Sequence, residues 1–195
     1  MRIAEIKRTT SETDIFVSLN IDGSGKYKIN TGVGFFDHML ELFAKHGNFD
    51  LTVKCNGDVK VDAHHTVEDT AICLGQAFRK ASGDCRGISR YGDIILPMDD
   101  ALILSAVDFS GRSYLNYDVK IAAKKIGTFD TELLEEFMQS FVRTAKINLH
   151  IKKINGRNSH HIAEGCFKSV ARALRKSLTS DELIGNSLPT TKGVL

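Results

Sequence analysis

No stretch of this sequence approaches the roughly 20 consecutive apolar residues needed to cross a bilayer, which argues against a helical membrane span. Cysteine is sparse as well. Cys55, Cys73, Cys85 and Cys166 form no C-x-x-C pair, a pattern that favours reduced, buried thiols over a disulfide framework. The opening Met1-Arg2-Ile3-Ala4-Glu5-Ile6-Lys7-Arg8 lacks the apolar core of a signal peptide, so a soluble, cytoplasmic protein is expected. An excess of charge is missing too. With a net charge of +2 and scattered Lys and Arg, the chain offers no nucleic-acid surface, and any basic cluster must act locally. What remains is ordinary globular composition: 195 residues, 42% hydrophobic and 26% charged, enough for one large domain or two small ones sharing a core.

The most informative feature is a pair of near-copies, Asp62-Ala63-His64-His65-Thr66-Val67-Glu68-Asp69 and Asn158-Ser159-His160-His161-Ile162-Ala163-Glu164-Gly165. Each reads His-His-x-x-Glu at the start of an apolar-patterned helix, and two matched sets of metal-ligand residue types indicate a duplicated metal-binding fold. Successive helical residues point about 100° apart, whereas residues i and i+4 nearly align. His64 therefore shares a face with Glu68 while His65 points aside, and the same holds for His160, Glu164 and His161. Adjacent histidines so arranged suit two different ions.

The rest of the chain also reads twice. Ile3–Thr9 and Ile15–Ile21 alternate as strands, Asp22-Gly23-Ser24-Gly25 is turn chemistry, and Phe35–His46 carries apolar residues at helical spacing. Gly47-Asn48 closes that helix before a strand over Phe49–Cys55 and a helix from about His64 to Ala81. In the second half, Gly92–Leu96, Ala101–Phe109 and Ser113–Lys120 read as strands, with Pro97-Met98-Asp99-Asp100 and Ser110-Gly111-Arg112 as turns. A helix from about Thr131 to Ala145, a strand over Ile147–Ile151 and a helix from about Ser159 to Leu178 complete it. The expected architecture is α+β: two repeats of strands-α-β-α, each a β-sheet layered with two helices. Their boundary falls near Gly83 to Gly92.

Aligning Phe43 with Phe141 matches His38 on the earlier helix of the first half to Glu136 in the second, which nominates both as partner ligands. His150 sits in a strand, where a satisfied or solvent-facing histidine is expected, and is left out of the ligand set. Imidazole and carboxylate donors without a thiolate suit a borderline or hard divalent ion such as Mn(II), Fe(II), Co(II) or Zn(II).

Several strings now acquire a common meaning. Thr31-Gly32-Val33-Gly34-Phe35-Phe36-Asp37-His38-Met39-Leu40, Pro97-Met98-Asp99-Asp100-Ala101-Leu102, Asp108-Phe109-Ser110-Gly111-Arg112 and the two His-His motifs closely resemble the imidazoleglycerol-phosphate dehydratase family of histidine biosynthesis. The likeness runs from Arg8-Thr9-Thr10-Ser11-Glu12-Thr13 to Thr191-Lys192-Gly193-Val194-Leu195, without room for the phosphatase domain some relatives carry. It implies a duplicated fold of the ribosomal protein S5 domain 2-like type. One catalytic domain would consist of pseudo-repeats at about 1–87 and 88–180 plus a C-terminal substrate-binding tail, 181–195. It further implies two Mn(II) per active site, a 24-subunit homo-oligomer with sites between subunits, and conversion of imidazole glycerol phosphate to imidazole acetol phosphate and water.

Such a reaction makes sense of two histidine-rich centres. The hydrogen removed is not next to a carbonyl, so the imidazole ring must supply the electron push, and two Lewis acids at its nitrogens make it an imidazolate. The metal ligands are then His38, His64, His65, Glu68, Glu136, His160, His161 and Glu164. The carboxylates assigned to catalysis are Glu12, Glu68 and Glu164, with Glu12 also touching substrate as general acid or base. Read alone, Glu12 is a charged residue in an exposed turn. The resemblance places His46, Arg90, Arg112, Lys168, Thr190 and Lys192 around the substrate, the cations and the hydroxyl gripping its phosphate. His46 on its own would cap a helix C-terminus. The sequence departs from the family's pattern at Glu136, where some relatives have histidine, at Asp100, at Ser113 and at Leu42.

Two rivals differ in class. A binuclear metallohydrolase would use similar donors but usually a bridging carboxylate in an Asp-rich motif, which is missing here. A non-catalytic metal-storage protein would need only the ligands and leaves the arginines and lysines unexplained.

Overall fold

The computed structural model describes residues 1–193 and 195; Val194, within the tail expected to bind substrate, lies outside the described residues. Alternating apolar residues build β1 (Ile3–Thr9) and β2 (Thr13–Asn20), an antiparallel hairpin in which Ile15, Val17 and Leu19 face the core. They are followed by β3 (Tyr27–Asn30), α1 (Gly34–Gly47), β4 (Asp50–Gly57) and α2 (His64–Ala81), with β3 and β4 parallel across the α1 crossover. The second half comprises β5 (Tyr91–Met98), β6 (Ala101–Asp108), β7 (Tyr114–Asp118), a short hairpin of β8 (Lys125–Ile126) and β9 (Phe129–Asp130), α3 (Glu132–Ala145), β10 (Asn148–Asn155) and α4 (Ser159–Leu178). Its sheet order, β5-β6-β10-β7, repeats the β1-β2-β4-β3 of the first. The protein is an α+β fold of two like units.

Three expectations need correction. β3 was not foreseen: it is a four-residue edge strand with mostly exposed side chains, too short to show a period. The β8–β9 hairpin was missed for the same reason. Pro97 and Met98 belong to β5, not to a turn; β5 is an edge strand, where a residue without an N–H is tolerated, and the turn contracts to Asp99-Asp100.

Each sheet is covered by its own two helices, and the helices then meet across the repeat, α1 against α4 and α2 against α3. Aromatic rings fill this seam. Phe43 and Phe78 from the first half meet Phe141 from the second at centroid distances of 6.2 and 5.5 Å, and Phe36 meets Phe137 at 5.6 Å, all edge-on. All these rings are fully buried, so the halves share one core. The four cysteines are free, and among the described residues no helix is long and apolar enough to cross a membrane.

α2 and α3 approach so closely at Gly75 that a Cβ there would lie 2.1 Å from Thr144 Oγ1 and 2.5 Å from the Phe141 carbonyl oxygen. Gly75→Ala should therefore lower the urea midpoint by an amount equivalent to about 1–3 kcal/mol. An unchanged midpoint would show that the seam is looser than described.

Candidate active site

Both histidine pairs sit in the first turn of a helix because the chain is pinned just before it. Asn158 Oδ1 accepts the N–H groups of His160 and His161 at 2.9 and 3.3 Å, and Asp62 Oδ1 accepts that of His64 at 2.7 Å. At α1, Asp37 Oδ1 accepts from the Thr31 N–H at 2.8 Å and from its hydroxyl at 2.5 Å, fixing the entry to the helix that carries His38.

The crossed helices bring the six-residue core of the expected ligand set into two clusters, each drawn from both halves. His38 from α1 joins His160 and Glu164 from α4, and Glu136 from α3 joins His64 and Glu68 from α2; within each cluster the ligand atoms lie within 4.8 Å of one another. Glu164 Oε1 is 2.9 Å from His160 Nε2 and 3.2 Å from His38 Nε2, while Glu68 Oε2 is 3.9 Å from His64 Nε2. Glu136, nominated by repeat alignment, lies in the second of these clusters, and His150 is exposed on β10, outside both.

A cation stands behind each cluster. Lys168 Nζ donates to Glu164 Oε2 at 2.5 Å, and Arg143 Nη2 donates to Glu68 Oε1 at 3.5 Å. Burial pushes the Glu164 carboxyl up, but hydrogen bonds from Lys168, His160 and His38 outweigh it and hold the group at about 2. Phe35 packs edge-on against the His160 ring at 5.4 Å and covers that side. A mixed imidazole–carboxylate set of this kind fits a hard or borderline divalent ion.

His65 and His161 point away from these clusters, and each is oriented by an acid on Nδ1. Asp58 Oδ2 is 3.0 Å from His65 Nδ1, and Asp100 Oδ1 is 2.8 Å from His161 Nδ1. The bond to Asp58 raises the His65 pKa; Asp100 is held well below the usual carboxylate range by the N–H groups of Arg157 and Asn158 and then by His161. Glu12, at the tip of the β1–β2 turn, places Oε1 3.7 Å from His65 Nε2.

Four of the expected phosphate ligands line one open cleft of about 750 Å³: Arg90, Arg112, Thr190 and Lys192. Arg90 braces it, donating to Asp108 Oδ1 at 2.7 Å and Oδ2 at 3.2 Å and to the Pro189 carbonyl at 2.8 Å, which anchors the tail. Lys168 lies outside this cleft, beside Glu164. His46 is half-buried at the end of α1, its pKa lowered first by burial and then by Lys168 and Arg172. Sequence reasoning missed Asp58, Asp108 and Arg143, and treated Asp100 only as a departure. Their partners are distant in sequence or in a turn without a motif, and only the fold joins them.

Fold and clusters together define a class: a duplicated α+β protein with two candidate metal centres built across its repeat. The family model described as imidazoleglycerol-phosphate dehydratase matches residues 31–174. Curated relatives with that name from Dinoroseobacter shibae and Methylorubrum populi are each 55% identical over 195 residues, covering all of both chains. The crystal structure of the enzyme from Staphylococcus aureus superposes with a TM-score of 0.84 at 40% identity, covering 92% of this chain and 99% of that one. The one from Pyrococcus furiosus gives 0.83 at 38%, covering 97% and 100%. The chain belongs to the imidazoleglycerol-phosphate dehydratase family, a family of hydro-lyases.

Because Asp58 stabilises the His65 imidazolium, His65 in metal-free protein should titrate above 6.5. The pair's contribution to stability is complete below the unfolded value and is lost as pH rises through the raised folded one. Asp58→Asn should bring the His65 ring resonance back toward 6.5 in an NMR titration; an unmoved midpoint would remove Asp58 as its partner.

Proposed function

We propose that this chain dehydrates imidazole glycerol phosphate to imidazole acetol phosphate in histidine biosynthesis, using two Mn(II) per active site. The observation carrying this reading is the pair of His–carboxylate clusters, each assembled from both halves of a chain that belongs to the family. His38, His160 and Glu164 would hold one ion and His64, Glu68 and Glu136 the other. Ions held there would supply Lewis acidity to the substrate's imidazole ring, which would let the ring act as the electron source. His65 and His161, with Nδ1 occupied by Asp58 and Asp100, have Nε2 left to offer as ligand nitrogen and would complete the shells in an adjoining copy. The sites would then lie between subunits of a 24-subunit homo-oligomer acting in the cytoplasm.

Loss of water requires the hydroxyl beside the ring to leave and the proton on the next carbon to be removed, giving an enol that becomes the ketone. Glu12, exposed and with Oε1 3.7 Å from His65 Nε2, would be the group that moves that proton. Glu164, held as a carboxylate by its hydrogen bonds, would take part as a ligand, as would Glu68 in the other cluster. Arg112, whose guanidinium's one hydrogen bond among the described residues is a 3.4 Å contact with the Ser110 carbonyl, would take the phosphate with Lys192 and Thr190; Arg90 shapes the cleft, and Lys168 and His46 would line the side toward the metals. Residues 181–195 thus serve as the substrate-binding tail of a single catalytic domain.

Metal-stripped protein should be inactive on imidazole glycerol phosphate and recover ketone formation with Mn(II). Failure to turn over with metal bound would refute the reading. Arg112→Ala should raise KM roughly tenfold or more with a smaller change in kcat, as expected for a lost charged hydrogen bond; an unchanged KM would take Arg112 out of the phosphate site.

A further inference from the structure

Asp69 follows Glu68 on α2 but turns the other way, beneath the β1–β2 turn, and is buried. Its Oδ2 accepts the Thr13 hydroxyl at 2.6 Å, and its Oδ1 accepts Arg8 Nε at 3.0 Å, so the buried carboxylate is both charge-paired and hydrogen-bonded. Thr13 is the foot of the turn that carries Glu12. Thr10 Oγ1 accepts the N–H groups of Glu12 and Thr13 at 3.1 and 3.0 Å, and Thr10 N–H donates to the Thr13 carbonyl at 2.8 Å. From Glu12 the bonds run onward: its carbonyl accepts the Asp58 N–H at 3.1 Å, and Asp58 holds His65 Nδ1. His65 and Asp69 are one helical turn apart, so a closed polar circuit ties the Glu12 turn to the helix bearing His64, His65 and Glu68.

The second half folds the same way without this device. Strand register matches Thr13 to Ala101, and the His-His motifs match Asp69 to Gly165. Gly165 packs directly on β6, where a Cβ would lie 2.8 Å from Ile103 Cγ1. Packing this helix on this sheet therefore needs no buried carboxylate at this position, and burying one is costly. Among the described residues two carboxylates are buried: Glu164, in its cluster with His38 and His160, and Asp69, under the turn of Glu12.

We infer that Asp69 is a positioning residue for Glu12, acting through Thr13 to hold the β1–β2 turn at the height where the Glu12 carboxylate meets a substrate bound beside His65. The catalytic half of this inference rests on the dehydratase reading; the positioning half does not. Mn-loaded Thr13→Val, which puts a methyl in place of the hydroxyl, should keep its metal content and stay folded, with a thermal midpoint lowered by only several degrees for the lost hydrogen bond. Hydrogen exchange at the Glu12 and Asp58 amides should quicken, and kcat should fall roughly 10- to 100-fold with KM little changed. Thr13→Ser should restore both, and Asp69→Asn, which keeps the shape, should reproduce the pattern of Thr13→Val. Unaltered exchange at these amides, or a loss confined to metal content and stability, would overturn the positioning role. Faster exchange with wild-type kcat would overturn its link to catalysis. A wild-type protein inactive on imidazole glycerol phosphate would instead sink the dehydratase reading, leaving the exchange result to decide the positioning role.

Discussion

The aromatic seam between the helix pairs is the constraint on which the rest depends. Each half buries one face of its sheet under two helices, and only by pressing α1 on α4 and α2 on α3 do the helices bury their remaining apolar faces, with Phe36, Phe43, Phe78, Phe137 and Phe141 closing the gap. Burial of rings of this size contributes several kcal/mol collectively beyond any polar contact at the helix ends. The functional geometry follows from it. The N-terminal turns of α2 and α4 come to lie beside α3 and α1, and among the described residues each cluster draws on both halves.

Duplication has been used unequally. Both halves keep the sheet order and the His-His-x-x-Glu motif, yet the partner ligand is a histidine in one cluster and a glutamate in the other. The balancing cation also differs in origin: Lys168 comes from the ligand helix itself, Arg143 from the facing helix. Glu136 adds a negative charge to its cluster, and Arg143 is placed to offset it, although at 3.5 Å and largely exposed this pair is worth little in isolation. The acids that orient His65 and His161 differ too, one following β4 and one in the β5–β6 turn.

Much of this was legible in the sequence because period and repeat carry it. The helices over His64–Ala81 and Ser159–Leu178 follow from apolar spacing behind each His-His motif, and aligning one half on the other singled out Glu136, which the fold brings beside His64 and Glu68. β3 and the β8–β9 hairpin were not legible, being too short for a period, and Pro97 misled because the edge position that tolerates it is a property of the sheet. Asp58, Asp69, Asp108 and Arg143 act through partners that only tertiary structure supplies. The grouping of His38 with His160 rather than His64 likewise depends on which helices cross, and no local pattern encodes that.

The central claim, that two metal centres are each assembled from both halves, is tested most directly by counting bound Mn(II) per chain in the wild type, His38→Ala and Glu136→Ala. Two ions in the wild type and about one remaining in each variant, with the two losses adding in the double variant, is the predicted result. A wild type that binds no Mn(II), or variants that retain both ions, would contradict it.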